Sequence, residues 1–167
     1  MVEPIKLDTT VPAYAIARGS LVNFDICLNE TERRQLSERF AFIKLEEVIG
    51  KIALAQIADG CWELKGKINV AMTQACVVSG QPVESTFMIE LEERFVVSFS
   101  DQTEIDAMEV DVDLLVNGEI LVGECLCQWI GVCAPVWPRA ENVPVLGEPE
   151  LDNTENHPFA RLSELKK

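Results

Sequence analysis

Apolar and polar residues alternate along several stretches of this chain, the pattern of β-strands with one buried face. The alternation predicts strands over residues 21–28, 62–73 and 84–99, and a short apolar run predicts another over 50–57. Turn signals separate them, Asp59-Gly60 in one place and residues 79–82 in the other. Strands joined by such short turns pair antiparallel, with one face on a core and the other in water.

The strand over 62–73 alternates most clearly. Its predicted core face holds Trp62, Leu64, Ile68, Val70 and Met72. Its predicted solvent face holds Glu63, Lys65, Lys67, Asn69 and Thr73. Gly66 falls on the core face, where a missing side chain permits a bend or close packing. In the strand over 84–99 the shared apolar face holds Phe87, Ile89, Leu91, Phe95, Val97 and Phe99.

Two helices are predicted, one early and one late. The early helix begins at Asn29, which forms a capping box with Glu32 three residues on. Its buried stripe consists of Leu36, Phe40 and Ile43. The late helix spans about residues 118–133 and is apolar on most sides, which predicts a buried helix. The proline-containing run at 135–138 ends it.

These elements predict an α+β fold: a strongly twisted antiparallel sheet, which could close toward a barrel, with an early amphipathic and a late buried helix. Residues 1–138 are predicted to form this single domain, with a polar, acidic surface loop over 100–113. Residues 139–156, rich in acids and prolines, predict a flexible linker. Residues 157–167 predict a short amphipathic segment. Phe159, Leu162 and Leu165 lie on one side of it.

Charge narrows the classes of partner. The net charge of the 167-residue chain is −14, and between Lys67 and Arg139 the only basic residue is Arg94. An acidic surface repels phosphate, which argues against DNA and a broad nucleic-acid footprint there, and it attracts a basic partner. A solubilising role explains the same charge equally well. The N-terminus lacks the features of a secretory signal and no apolar run is long enough for a bilayer, so a cytoplasmic protein without membrane contact is expected.

The reactive residue types do not assemble into a catalytic or metal motif. The six cysteines include no C-x₂-C pair, and Cys125 and Cys127 fall on different sides of the late helix. Reduced thiols that pack as small core residues are the favoured interpretation. The single histidine, His157, lies in the tail. No enzyme activity, metal or cofactor is therefore predicted.

Four segments, in order along the chain, carry a resemblance to a known family. They are NETERRQLSERF at 29–40, WELKGKINVAMTQACVVSGQPV at 62–83, GEILVGECLCQWIGVCAPVWPR at 118–139 and HPFARLSELKK at 157–167. Together they resemble the YceD family of large ribosomal RNA subunit accumulation proteins, in its alphaproteobacterial branch. Leu121 stands where the family usually has an aspartate, and Ser79 takes the second position of a family cysteine pair. A family metal site is therefore not transferred to this chain.

The resemblance implies a non-catalytic factor in large-subunit ribosomal RNA accumulation and ribosome biogenesis. Its expected partner is large-subunit ribosomal RNA or a basic ribosomal protein, and its oligomeric state stays open. The alternative is a small-ligand or metal-binding module without a ribosomal role, whose pocket the sheet would enclose with the cysteines near its mouth.

Five residues around the predicted strand end and the late helix are candidates for contact with RNA or a partner. For Gln74 we favour a hydrogen bond to a loop or to the late helix, and for Cys76 we favour packing in the core. Glu124 is expected to accept from Arg139 or to cap a backbone group. Trp137 is expected to close the core rather than stack on a base.

Two further groups are candidates. Arg33, Arg34, Arg39 and Lys44 form a basic cluster that either contacts ribosomal RNA or is a solvated helix face. The C-terminal motif of Phe159, Leu162 and Leu165 either docks on the domain, which we favour, or serves as a peptide hook for a partner.

Overall fold

The computed structural model describes residues 5–97, 111–141 and 143. In chain order the elements are β1 (Val11–Pro12), a 3₁₀ turn (Ala13–Ala15), β2 (Leu21–Cys27), α1 (Glu30–Phe40), β3 (Lys44–Ala58), β4 (Cys61–Ala75), β5 (Pro82–Val96), β6 (Asp111–Leu114), β7 (Glu119–Ile120) and α2 (Val122–Cys133). The predicted C-terminal motif lies outside the described residues, as do most of the predicted linker and of the 100–113 loop.

A twisted five-stranded sheet, in the order β2-β3-β4-β5-β6, dominates the fold. The α+β prediction is confirmed, but the sheet is open and does not close into a barrel. Three of its four strand pairs are antiparallel as predicted, whereas β5 and β6 pair in parallel from Glu93 opposite Asp111 to Val96 opposite Leu114. Residues 111–113 therefore form an edge strand rather than the predicted loop. Strands β1 and β7 make a separate two-stranded ribbon.

Two predicted boundaries are wrong for identifiable reasons. Strand β3 begins at Lys44 rather than near residue 50, because a register shift between Leu45 and Glu47 interrupts the alternation that would reveal it. Helix α2 begins at Val122 rather than near residue 118. Asn117 and Gly118 both have positive φ, which turns the chain into β7 before the helix starts.

One face of the sheet carries the core, and both helices lie on it. The predicted core face of β4 is buried, and Leu36 of α1 and Leu126 and Ile130 of α2 join the same cluster. The helices also touch each other, since the ring of Phe40 occupies the space that a side chain at position 131 would need. The opposite sheet face, with Asp25, Lys51, Lys65, Lys67 and Glu90, is left to solvent.

Three side chains predicted to be exposed or buried are found in the opposite environment. Thr73 is buried, because its hydroxyl donates to a carboxylate oxygen of Glu46 at 2.8 Å. Ile43 and Val97 are exposed, because the helix ends at Phe40 and the strand at Val96, one to three residues before them. The predicted close packing at Gly66 is confirmed: a Cβ there would lie 2.6 Å from the Cα of Ile52 on the adjacent strand.

Candidate functional site

Helix α1 is fixed at both ends by local sequence. The Asn29 side chain accepts from the amide of Glu32 at 3.0 Å, and the Asn29 amide donates back to the Glu32 carboxylate at 2.8 Å. This is the predicted capping box, and it satisfies amides that the first turn leaves free. Ala41 ends the helix with a left-handed φ of 56°. The arginines of the predicted basic cluster are thereby held on a short rigid element beside the start of β3.

A groove of about 620 Å³ runs between α1 and the start of β3. Arg33 and Arg34 line its helix side and Lys44 its strand side, with Glu30 and Glu46 also on its walls. Glu46 is already engaged by Thr73 through one oxygen, and its other carboxylate oxygen is buried. Three of the four residues of the predicted basic cluster thus meet at one groove, to which β3 contributes Lys44.

The charges of these three residues are only partly compensated. The Arg33 guanidinium donates to the backbone carbonyl of Leu28 at 2.6 Å, a contact that leaves its net charge intact. Arg34 stands 3.9 Å from Glu38, and both side chains are 73% exposed, so water screens the pair. Lys44 has no carboxylate within 4 Å among the residues that the structure describes.

Arg39, the fourth member of the predicted cluster, does not line the groove and instead forms an ion pair with Glu124 of α2. Its two terminal nitrogens donate to the two carboxylate oxygens of Glu124 at 2.8 and 2.6 Å. The prediction that Glu124 would accept from Arg139 is wrong, because Glu124 of α2 pairs with Arg39 of α1. The Arg39 hydrogen bond lowers the pKa of the Glu124 carboxyl against the opposing effect of burial, and the same contact raises the pKa of Arg39. Arg39 is therefore a structural residue rather than a free cation.

Gln74 joins the end of β4 to the segment after α2. Its amide nitrogen donates to the backbone carbonyl of Pro135 at 3.2 Å, which confirms the expected bond to a loop. Its amide oxygen is buried and has no partner among the described residues. A buried carbonyl oxygen without a donor costs free energy. Because this oxygen is buried and the amide nitrogen is already bonded to Pro135, the Gln74 side chain is poorly placed for contact with RNA.

Cys76 occupies the turn between β4 and β5 and is 3% exposed. Its sulfur accepts from the backbone amides of Ser79 and Ala140, each at 3.4 Å. A hydrogen bond from the Ser79 side chain, followed by bonds from the Ala140, Ser79 and Val78 amides, lowers the pKa of the Cys76 thiol to about 6, against burial, which raises it. Burial was expected, but a perturbed pKa was not, because it depends on how the folded turn directs the Ser79 side chain and three backbone amides at the sulfur.

Trp137 and Arg139 are both exposed, and the expected closure of the core by Trp137 is wrong. The chain leaves α2 at Ala134 in an extended conformation, and the Val77 amide donates to the Pro138 carbonyl at 2.9 Å. This bond ties residues 135–140 to the β4–β5 turn. The Trp137 indole is left in solvent, 76% exposed.

The candidate residues meet at one end of the sheet. Lys44 lies opposite Thr73, and Ala75 lies opposite Pro82 where β4 turns into β5. The basic groove and the β4–β5 turn therefore share this end, and the turn brings in residues 135–140 through the contacts of Gln74, Val77 and Cys76. Glu124 alone is separated from these, in its pair with Arg39.

The solvent face of the sheet does not present a bare acidic surface. Lys65 lies 3.1 Å from Glu63 and 2.8 Å from Glu92, and Lys67 lies 2.7 Å from Glu90. These contacts raise the pKa of Lys65 and lower the pKa of Glu90. Lysines of β4 therefore pair with Glu90 and Glu92 of β5 on the part of this face that the structure describes.

Sequence reasoning missed a buried acid beneath α2. Glu93 is 7% exposed, and the Trp129 indole donates to its carboxylate at 2.8 Å. The signal was available: Glu93 has the same parity in β5 as Leu91 and Phe95, so the alternation itself places it on the core face.

Cys125 and Cys127 of α2 are buried thiols, whereas Cys133 at the end of the helix is exposed. Burial raises the pKa of Cys127 to about 11 and raises that of Cys125 as well, so neither is a thiolate near neutrality. Across the described ranges no group of three or more histidine, cysteine, aspartate or glutamate side chains is arranged to hold a metal ion.

Comparisons with known protein families, with curated proteins and with solved structures found no match to this chain. Within the described part of the chain, no helix is both long enough and apolar enough to cross a bilayer.

Proposed function

We propose that this protein is a non-catalytic factor in large-subunit ribosomal RNA accumulation and ribosome biogenesis, and that it binds ribosomal RNA through the groove between α1 and β3. The four ordered segments that resemble the YceD family support the biological role. The observation that supports the binding mode is the meeting of Arg33, Arg34 and Lys44 at that groove, with their positive charges incompletely compensated.

The groove suits a short stretch of phosphate backbone. Phosphate contacts by arginine and lysine supply most sequence-independent affinity for nucleic acids, and they do so by releasing counterions. Three cations give a slope of log affinity against log salt of about −2 for single-stranded RNA. The net charge of −14 opposes a wider footprint, so contact is confined to this end of the sheet.

The test compares two arginines that differ only in location. Arg34 lies at the groove, and Arg18 lies near the β3–β4 turn at the opposite end of the sheet; both are about 70% exposed, and each has one loose acidic neighbour. Tagged wild-type protein, the Arg34→Glu groove variant and the Arg18→Glu control are sedimented from lysate on sucrose gradients. Each fraction is probed for the tag and for RNA.

We expect the wild type to comigrate with immature large-subunit particles and to leave them in moderate salt. The groove variant should shift to the free-protein fractions at low salt, whereas the Arg18→Glu control should not. Comigration of both variants with the particles would contradict the groove as the RNA contact. Free sedimentation of the wild type itself would count against the ribosomal role and favour the ligand-binding alternative.

A further inference from the structure

An exposed apolar patch lies beside the β4–β5 turn, on side chains that the fold itself does not use. Val77 and Val78 project from the turn, and Val136 and Trp137 project from the segment after α2. The bond between the Val77 amide and the Pro138 carbonyl holds the two pairs side by side. We call these four residues the turn patch.

The turn patch is held rigidly although it is exposed. Gln74 anchors Pro135, and the Cys76 sulfur anchors Ala140, so the segment is fixed on both sides of Trp137. The amide of Cys76 donates to the Gln81 carbonyl at 2.7 Å, and that of Gly80 to the Cys76 carbonyl at 2.9 Å, which closes the turn. Contiguous exposed apolar surface on a fixed framework marks an interaction site.

We propose that residues 157–167 of the same chain dock on the turn patch through Phe159, Leu162 and Leu165. The described chain runs directly from the patch to Glu141 and Val143. Fifteen residues, 144–158, lie between Val143 and Phe159. A random-coil chain of that length would have a root-mean-square end-to-end distance of about 21 Å, and a tether of this length gives an effective concentration of order mM.

The composition of the segment suits an apolar patch on an acidic domain. Its three apolar residues recur at a spacing of three, which places them on one side of a helical turn. An isolated helix of eleven residues is marginal in water, so such a side gains stability only against another surface. The segment also carries three basic residues and one acidic residue in a chain of net charge −14, so the domain attracts it.

The surroundings of Trp137 favour this occupant over a nucleic-acid base. Stacking platforms for single strands combine an aromatic ring with a basic groove. Here the other members of the turn patch are three valines, and the next cation along the chain is Arg139, with Glu141 two residues farther on. A phenylalanine and two leucines bury such a surface, whereas a base would leave the valines in water.

Trp137 itself reports the contact. The full-length protein is labelled with 5-fluorotryptophan, which gives one ¹⁹F resonance for each of its three tryptophans, and Trp137→Phe assigns the resonance of Trp137. The spectra of wild type and of the Phe159→Ala/Leu162→Ala/Leu165→Ala variant are then compared in H₂O and in D₂O. The variant Arg161→Ala/Ser163→Ala/Glu164→Ala changes the other side of the same segment and serves as the control.

The apolar variant should shift the Trp137 resonance and enlarge its solvent isotope effect, while the resonances of the buried Trp62 and of Trp129 stay in place. The control should leave the isotope effect of Trp137 at the wild-type value.

An identical Trp137 resonance in wild type and apolar variant would overturn the docking. A shift that depends on protein concentration would overturn it in favour of a second copy. The docking would also be overturned, in favour of base stacking, by a wild-type Trp137 resonance with the isotope effect of a fully exposed indole that shifts only when an RNA oligonucleotide is added.

Discussion

Arg39 and Glu124, 85 residues apart in the chain, face each other through two parallel hydrogen bonds that join α1 to α2. The two charged groups are partly exposed, at 46% and 37%. The bidentate geometry distinguishes this pair from ordinary surface ion pairs, which usually make one weak contact and contribute little to stability. It also fixes the orientation of α1, and with it the position of the basic groove.

The first prediction concerns this pair. A double-mutant cycle with Arg39→Ala and Glu124→Ala should give a favourable coupling energy in chemical unfolding. The Arg34–Glu38 pair, at 3.9 Å and largely exposed, provides the comparison cycle and should couple much more weakly. Equal coupling in the two cycles would show that the bidentate geometry adds nothing.

The same pair predicts a pH dependence. The pKa of Glu124 is lower in the folded protein than in the unfolded chain, so its contribution is complete above the unfolded value of about 4.3 and is lost as the pH falls through the folded value. The stability difference between wild type and Glu124→Gln should therefore shrink below about pH 4. A difference that stayed constant down to pH 3 would contradict the assignment.

Cys76 is predicted to be mainly a thiolate at pH 7. With ¹³Cβ-labelled cysteine, the resonance lost in Cys76→Ser should titrate with a midpoint of about 6, and Cys125 and Cys127 should not titrate below pH 10. Ser79→Ala should raise the Cys76 midpoint, since the Ser79 side chain is the largest cause of the lowered pKa. A midpoint above 8 in the wild type would refute the hydrogen-bonded thiolate.

The sign of the linked stability follows from the same pKa. Because the folded value lies below the unfolded value of about 8.5, the contribution of Cys76 rises from pH 6 and is complete above about pH 8.5. Cys76→Ala should consequently cost more stability at pH 8.5 than at pH 6, as measured by chemical unfolding at each pH.

Gly66→Ala is predicted to be unusually destabilising. The added methyl group would meet the backbone of β3, 2.6 Å from the Cα of Ile52, and a paired strand cannot move aside. We expect a loss of more than about 3 kcal/mol, beyond the usual range for overpacking. Gly19→Ala is the control, because its surroundings are open and only its φ of 81° is unfavourable; it should cost roughly 1–2 kcal/mol. Similar losses in the two variants would refute the close approach.

Trp129→Phe tests the buried carboxylate of Glu93. Phenylalanine keeps most of the ring but removes the indole donor, so the variant should lose about 1–3 kcal/mol of stability. A double-mutant cycle with Glu93→Gln should give a favourable coupling energy between the two side chains. A coupling energy near zero would show that the loss comes from packing alone.

The part of the fold that could be predicted from sequence is the part that local chemistry specifies. The Asn29 capping box, the Asp59-Gly60 turn and the alternation of β4 involve neighbouring residues, and each is observed. The parallel partner of β5 and the register shift near Glu46 were missed, since they depend on contacts with other strands.

The candidate site shows the same division. The basic residues of α1 could be found from sequence, but the partner of Glu124 could not, because Arg39 and Arg139 offer the same chemistry. The exposure of Trp137 was mispredicted for a related reason. Aromatic residues usually close cores, but here a hydrogen bond from Val77 to Pro138 carries the backbone past the core and leaves the indole outside.

The contacts of the β4–β5 turn also bear on the order in which the domain folds. Gln74 meets Pro135 across 61 residues, and Cys76 meets Ala140 across 64, so these bonds close loops that span much of the domain. Contacts of large sequence separation form slowly, and during synthesis Cys76 emerges well before Ala140. Until Ala140 arrives, the sulfur lacks one of its amide donors and its pKa is correspondingly higher. The ionisation of the Cys76 thiol therefore reports whether residues 135–140 have joined the β4–β5 turn, without any probe attached to the chain.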